Sequence, residues 1–188
     1  MKKLSLFLVF ISGFAFADTH IYLVRHAEKI VSEGVNDPEL TPIGLFRADN
    51  IAKQLSSVGV TQIFSTEYKR TMQTAKPLAD YQSIKITPYD ASDLEAFAEQ
   101  LKQIQGTVLV VGHSNTTPQL TQLLSGKDVN PIQDDEYDNL YQVIITENKT
   151  WLNRFKTIPS YVLNTPSMLM NIRNNNKTIK VTPIKDKK

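Results

Sequence analysis

Short apolar runs alternate with segments of helical periodicity along most of this chain. The predicted strands are 20–24, 60–65, 84–87, 107–111 and the two arms of a hairpin around Glu147, Asn148 and Lys149. The predicted helices are 42–56, 67–80, 93–104 and a last one that ends at Gly126. Strands that alternate with helices in this way are typical of a mostly parallel sheet.

Two helix starts and one helix end have local signals. Thr41 and Pro42 form a pair of N-cap residue and proline at the first helical position. Thr117 and Pro118 repeat this pair, and Gly126 is a typical residue for the end of that helix. These signals predict the first and the last helix.

The resulting fold class is α/β, a three-layer sandwich with helices on both faces of the sheet. The last strand contains Trp151 and Phe155 at alternate spacing, and we expect both in the core. In such folds the functional groups lie at the carboxyl ends of the parallel strands.

The two ends of the chain differ from its centre. Residues 1–17 combine Lys2 and Lys3, an apolar run and a small-residue cleavage signal ending at Ala17, which predicts a secretory signal peptide. Residues 18–172 form the predicted domain. Residues 173–188 hold six basic residues and one acid, and we expect a basic, flexible tail.

The amino-acid composition argues against several classes of function. The chain has 21 Lys and Arg against 19 Asp and Glu, and loss of Lys2 and Lys3 with the signal peptide leaves 19 of each. A balanced domain argues against nucleic acid as a partner. The chain has no cysteine, which excludes disulfides, cysteine nucleophiles and thiolate metal sites.

The stretch GHSNT at 112–116 is one residue away from the G-x-S-x-G serine elbow. A serine nucleophile needs a histidine as base, which in α/β hydrolases follows the serine in the chain, and no histidine follows Ser114. Thr116 also replaces the second glycine of the elbow. His113 is therefore the stronger candidate for the reactive group.

A second histidine follows another strand. Arg25 and His26 come directly after the strand 20–24, as His113 follows 107–111. Arg70 lies in the first turn of the helix after the strand 60–65, where anions are favoured. Two imidazoles with guanidinium forks suit a phosphoryl group.

Four stretches in this order resemble the histidine phosphatase superfamily, the phosphoglycerate mutase-like family. They are LVRHAEK, DPELTPIGLFRA, IFSTEYKRTMQTA and VLVVGHSNTTPQL. Ala27 stands where the family usually has the glycine of R-H-G. The resemblance implies that His26 is a nucleophile that carries a transient phosphohistidine. It also implies that Arg25, Arg70 and His113 bind the phosphoryl oxygens, with no metal and no cofactor.

The proton donor is open at this stage. Acid phosphatase relatives often have an aspartate after the second histidine, and this chain has Ser114 there. Mutase-like relatives use a carboxylate after the third strand, where this chain offers Asp90, with Asp93 and Glu95 as alternatives. We predict Asp90. Asn115 is a candidate for contacting the phosphate or for holding the turn after His113.

The sequence thus predicts an exported phosphatase that hydrolyses small phosphate monoesters. The signal peptide predicts a periplasmic or secreted location without a stable membrane segment. A mutase that moves phosphate between hydroxyls, phosphodiester cleavage by two histidines, and a non-catalytic phosphate-binding module are the alternatives.

Overall fold

The computed structural model describes residues 18–158. The predicted signal peptide 1–17 and the predicted tail 173–188 lie outside the described residues, as does the end of the predicted domain. No helix among residues 18–158 is long and apolar enough to cross a membrane.

Within the described residues, the strands form one six-stranded sheet in the order β3-β2-β4-β1-β5-β6. The strands are β1 Thr19–Arg25, β2 Val60–Ser65, β3 Ile86–Pro88, β4 Gly106–Gly112, β5 Asn139–Ile145 and β6 Thr150–Lys156. The neighbours from β3 to β1 run parallel, and β5 and β6 add an antiparallel hairpin at one edge. The structure thus confirms an α/β fold with a mostly parallel sheet.

Helices cover both faces of this sheet. They are α1 Pro42–Leu55, α2 Lys69–Gln82, α3 Leu94–Lys102 and α4 Thr116–Ser125. Side chains of α1 and α2 pack with Tyr22 and Val24 of β1, whereas α3 and α4 pack with Ile21 and Leu23. Alternate residues of one strand therefore belong to two cores, which explains the continuous apolar run in the sequence.

The structure confirms the predicted start of α1 and the predicted end of α4. The Thr41 side chain accepts a hydrogen bond from the Gly44 amide at 3.0 Å, and Gly126 adopts a left-handed conformation with φ 66°. The predicted start of α4 is wrong, because its N-cap is Asn115. The Thr117 amide already bonds to the His113 carbonyl, so the helix begins two residues early, and Pro118 falls in the first turn, where no amide partner is lost.

The predicted burial of Trp151 and Phe155 is also wrong. Each side chain is 47% exposed, because among residues 18–158 β6 is the edge strand of the sheet and no helix covers this face of it. The ammonium group of Lys149 covers the Trp151 ring at 3.7 Å from its centroid. The edge strand thus keeps apolar surface that the sequence pattern alone assigns to the core.

Candidate active site

Two neighbouring strand ends bring the two predicted histidines together. β1 and β4 are adjacent and parallel, and Arg25 pairs with Gly112 at their carboxyl ends. The His26 amide continues this pairing with a 2.9 Å hydrogen bond to the Gly112 carbonyl. The next residue along β4 is His113, and the centroids of the two imidazole rings lie 5.5 Å apart.

A cavity of about 640 Å³ opens at these strand ends. Five of the predicted site residues line it: Arg25, His26, Arg70, His113 and Asn115. Arg70 reaches the cavity from the first turn of α2, as its place in the sequence predicts. The structure thus gathers the side chains that are predicted to bind phosphate from three separate stretches of the chain.

The His26 ring is held in one tautomer. Its Nδ1 lies 2.7 Å from the Ala27 carbonyl oxygen, which can only accept, so Nδ1 carries the hydrogen. Burial lowers the pKa of His26 to about 3, and the nearby positive charges of Arg25 and Arg70 act in the same direction. At neutral pH the ring is therefore uncharged, with a free lone pair on Nε2, which is the state a nucleophile needs.

A chain of threonine hydroxyls fixes the tautomer of His113. Its Nε2 lies 2.9 Å from Thr66 Oγ1, and that hydroxyl donates to Thr71 Oγ1 at 3.0 Å. Because the single hydroxyl hydrogen of Thr66 is used there, Thr66 accepts from His113 Nε2–H. Nδ1 is then the bare nitrogen, 3.5 Å from an Arg70 amino group at the cavity.

This arrangement makes His113 a site of proton uptake. Burial lowers its pKa to about 4, with Arg70, Arg25 and Lys29 adding positive charge nearby. Nδ1 must gain a proton before it can donate to a phosphoryl oxygen. A bound anion favours that protonation because it offsets the surrounding positive charge.

Both site arginines have a buried donor without a protein partner. Among the described residues, the Nε atoms of Arg25 and Arg70 are fully buried and form no hydrogen bond. A buried guanidinium donor left unpaired is costly. Both arginines line the cavity beside two uncharged imidazoles, a set of side chains that suits an anion with several acceptor oxygens.

Each of these arginines is stacked against a tyrosine that the sequence analysis missed. The Arg25 guanidinium carbon lies 4.2 Å from the centroid of the Tyr137 ring, and that of Arg70 lies 4.3 Å from the Tyr68 ring. The stacking leaves the edges of each guanidinium free to donate. Tyr137 follows an acidic stretch that indicates only a surface loop, so no local signal identifies it.

The loop that carries His26 is fixed by contacts to two helices. The Thr74 hydroxyl of α2 accepts from the Ala27 amide at 3.0 Å and donates to the Arg70 carbonyl at 2.7 Å, which links the nucleophile loop to the arginine helix. The fully buried Arg47 of α1 binds both carboxylate oxygens of Glu28. These contacts hold His26 and Arg70 in one fixed arrangement.

Gly44 lets α1 approach this loop closely. A Cβ atom at that position would lie 2.2 Å from the Glu28 carbonyl oxygen, which is far inside van der Waals contact. Any larger residue would push α1 away from the loop and from its Arg47 contact. The glycine in the stretch TPIG is therefore part of the support of the site.

The structure does not bring Asp90 into the cavity. Its carboxylate is exposed and accepts a hydrogen bond from the Ser92 amide at 2.8 Å, which closes a local turn. This bond lowers the pKa of Asp90, opposite to what an acid that holds a proton near neutral pH needs. Of the alternatives, Asp93 caps α3 through the Ala96 amide, and Glu95 is exposed on its first turn.

Asp134 is the carboxylate that lines the cavity among the described residues. Its loop is held in place because Arg25 donates to the backbone carbonyls of Gln133, Asp134 and Glu136 at 2.8, 3.1 and 3.0 Å. The sequence places this aspartate in an acidic stretch with no motif. Its place at the cavity becomes visible only in the folded structure, where the loop lies against Arg25.

No group of three or more metal-ligating side chains lies together among residues 18–158. The positive charge in the cavity comes instead from Arg25, Arg70 and Lys29. These cations can stabilise the charge that spreads over phosphoryl oxygens during transfer.

The two histidines should make the stability of the fold depend on pH. Their pKa values of about 3 and about 4 lie below that of an unfolded histidine, about 6.5. Between these values the unfolded chain binds more protons than the folded one, so the free energy of unfolding falls as pH falls from 6.5 towards 4. Denaturant unfolding at pH 7.5, 6 and 5 should show this loss.

The matched variants for that measurement are His26→Gln with His113→Gln, and His20→Gln as control. The double variant should show a weaker fall of stability with pH than the wild type, whereas the control should follow the wild type. Equal pH dependence in all three proteins would contradict the assignment of these two histidines as the buried, uncharged groups.

The fold and the strand-end site define a phosphoglycerate mutase-like α/β protein, and comparison with known proteins agrees. Residues 21–93 match the model of the histidine phosphatase superfamily, branch 1. Over 65 residues the chain is 40% identical to "Probable phosphoglycerate mutase GpmB" of Yersinia pestis, a match that covers 32% of this chain and 30% of that relative. The match to the Yersinia pseudotuberculosis protein of the same name has the same extent, so the chain spans less than a third of the length of these curated relatives.

Solved structures agree in fold. A mycobacterial glucosyl-3-phosphoglycerate phosphatase superposes with a TM-score of 0.62 at 12% identity, covering 74% of this chain and 99% of that one. The protein histidine phosphatase SixA complexed with tungstate gives a TM-score of 0.59 at 18% identity, covering 73% and 96%. Residues 21–93 of the chain are thus similar to the histidine phosphatase superfamily, the family that the four sequence motifs resemble.

Proposed function

We propose that this chain is an exported, metal-independent phosphatase that hydrolyses phosphate monoesters through a phosphohistidine on His26. The observation that carries the proposal is that Arg25 and Arg70 line one cavity together with the two uncharged histidines His26 and His113. A phosphoryl group supplies acceptor oxygens for these arginines, and His26 Nε2 supplies the electron pair.

The reaction has two steps in this site. His26 Nε2 attacks phosphorus, the bond from phosphorus to the ester oxygen breaks, and that oxygen leaves with a proton from an acid, for which Asp134 is the carboxylate at the cavity. Water then attacks the phosphohistidine, gives its proton back to that carboxylate, and releases inorganic phosphate and free His26. Arg25, Arg70 and protonated His113 balance the charge of the transferring group.

Turnover of 4-nitrophenyl phosphate by the purified chain, without added metal, tests this proposal. We expect steady release of nitrophenol that vanadate inhibits, because vanadate takes the trigonal bipyramidal geometry of phosphoryl transfer. A chain that binds phosphate but releases no nitrophenol would instead support a non-catalytic phosphate-binding module.

Metal independence is a separate prediction. The arginines already supply the positive charge that a metal supplies in other phosphatases. EDTA should leave the rate of nitrophenyl phosphate hydrolysis within about twofold, and added Mg²⁺ or Zn²⁺ should not raise it. Loss of activity in EDTA that a divalent ion restores would overturn this prediction.

Mutase activity is the second candidate, and the match to the Yersinia proteins named as phosphoglycerate mutases favours testing it. Incubation with 3-phosphoglycerate separates the two functions. A phosphatase releases inorganic phosphate and glycerate, whereas a mutase forms 2-phosphoglycerate with its phosphate retained.

Export rests on the sequence of residues 1–17, which ends in the predicted cleavage site after Ala17. N-terminal sequencing of the protein from the exported fraction of expressing cells should therefore begin at Asp18. A protein that keeps Met1 and stays inside the cells would contradict export, but it would not contradict the proposed phosphatase activity.

A further inference from the structure

A second cavity of about 400 Å³ adjoins the catalytic one. The two cavities share Ser114 and Asn115, the residues directly after His113. The second cavity therefore lies directly beside the phosphate site, next to a ligand whose phosphate lies against His26 and His113.

This second cavity follows one face of α4. Pro118, Gln119, Gln122 and Leu123 line it at spacings of one, three and four residues, which places them along one side of the helix. From Asn115 to Leu123 the helix rises about 12 Å, at about 1.5 Å for each residue. Val129 and Pro131, from the loop after α4, complete the lining, so the cavity is a groove between α4 and that loop, beside the phosphate site.

The lining of this groove has no charged side chain among the described residues. It combines the carboxamides of Asn115, Gln119 and Gln122 with aliphatic surface from prolines, Leu123 and Val129. A carboxamide both donates and accepts a hydrogen bond, so it pairs well with another amide edge, but it has no formal charge that could neutralise an ionised group.

We infer that this groove binds the uncharged, amide-bearing part of the leaving alcohol, an inference that rests on the proposed phosphatase activity. The preferred substrates are monoesters whose alcohol continues for about 12 Å as a neutral chain or ring with amide edges and apolar faces. Peptide groups beside a phosphorylated residue and the base of a nucleotide both have this chemistry. Esters with a carboxylate in this position are disfavoured.

Two matched substrate pairs distinguish a phosphopeptide from a nucleotide as the source of the amide groups. One pair is a phosphoserine peptide with uncharged neighbours and the same peptide with glutamate neighbours. The other is uridine 5′-monophosphate and orotidine 5′-monophosphate, which differ by a carboxylate on the base. The readout is the ratio of kcat/KM for the neutral member to that for the acidic member, and the pair with the larger ratio identifies the source.

Gln122→Lys is the variant that tests the groove, with Gln54→Lys as control. Gln54 is exposed on α1, which packs on the other face of the sheet, so the control adds the same charge elsewhere. In the wild type the neutral member should be preferred. Gln122→Lys should lower that ratio by about 2- to 5-fold, since an exposed ion pair is worth up to about 1 kcal/mol, and Gln54→Lys should not change it.

Each contrary result has one meaning. If the wild type hydrolyses 4-nitrophenyl phosphate but neither pair, the substrate class is wrong. If it hydrolyses the pairs and Gln122→Lys leaves both ratios unchanged, the groove does not hold the leaving group. If the wild type hydrolyses no monoester at all, the proposed function itself fails, and this inference fails with it.

Discussion

His26→Ala should reduce phosphatase turnover by roughly 10⁴-fold or more, since the variant lacks the nucleophile that splits the reaction into two steps. The free lone pair on His26 Nε2 is the electron pair for the new bond to phosphorus, and alanine has no substitute for it. The measurement is acid quenching of the enzyme with labelled substrate, followed by counting of protein-bound phosphate. The wild-type label should be acid-labile and base-stable, as a phosphoramidate is.

His20→Ala is the control for this experiment. His20 lies in the same strand as Arg25 but does not line the cavity, so His20→Ala should leave both the protein-bound label and the turnover unchanged. A label that survives in His26→Ala would show that another residue carries the phosphoryl group. His113 would then be the candidate, because its ring is the other imidazole at the strand ends.

Asp134→Asn should slow the hydrolysis of glycerol 3-phosphate by about 10²- to 10⁴-fold, the usual contribution of a general acid. The same variant should slow nitrophenyl phosphate much less, because nitrophenolate leaves readily without a proton. Asp134 is at the cavity and its loop is anchored by Arg25, which are the two conditions for delivering a proton to the ester oxygen. Single-turnover rates are needed, because hydrolysis of the phosphohistidine is common to both substrates.

Asp90→Asn is the matched control, since the exposed Asp90 carboxylate is tied to the Ser92 amide. It should leave both rates within about twofold. If Asp90→Asn shows the difference between substrates and Asp134→Asn does not, the segment after β3 must move to the cavity during the reaction. Equal slowing of both substrates by Asp134→Asn would indicate a role in holding the loop and not in proton transfer.

The sequence could predict the strand-end histidines because their signal is local. An apolar run followed at once by Arg25 and His26, or by Gly112 and His113, indicates groups at the end of a buried strand. The parallel sheet then places them at one edge. The sequence could not show that β1 and β4 are direct neighbours, and that adjacency brings the two rings to 5.5 Å.

The supporting contacts could not be predicted because they join distant parts of the chain. Thr66 and His113, which form a hydrogen bond, are 47 positions apart in the sequence. Arg25 is more than 100 positions away from the loop 133–136 that it contacts. Asp90 is the predicted proton donor because it follows the third strand in the sequence. In the structure its carboxylate instead closes the turn at Ser92 and is exposed to solvent. Trp151 has a core-like spacing but lies on an edge strand, so spacing without the neighbouring elements misplaces it.

The three carbonyl contacts of Arg25 affect which substitutions this protein can accept during evolution. Arg25 both lines the cavity and secures the loop that leads into β5, because the two N–H groups of its Nη1 are shared among three carbonyls. A hydrogen bond from a charged donor contributes about 1.5–3 kcal/mol. Loss of this arginine would therefore damage folding together with catalysis, and selection would remove the variant for both reasons. A descendant that keeps the fold as an inactive phosphate sensor is reached more easily through His26, because among residues 18–158 the hydrogen bond of its side chain goes only to its own neighbour Ala27.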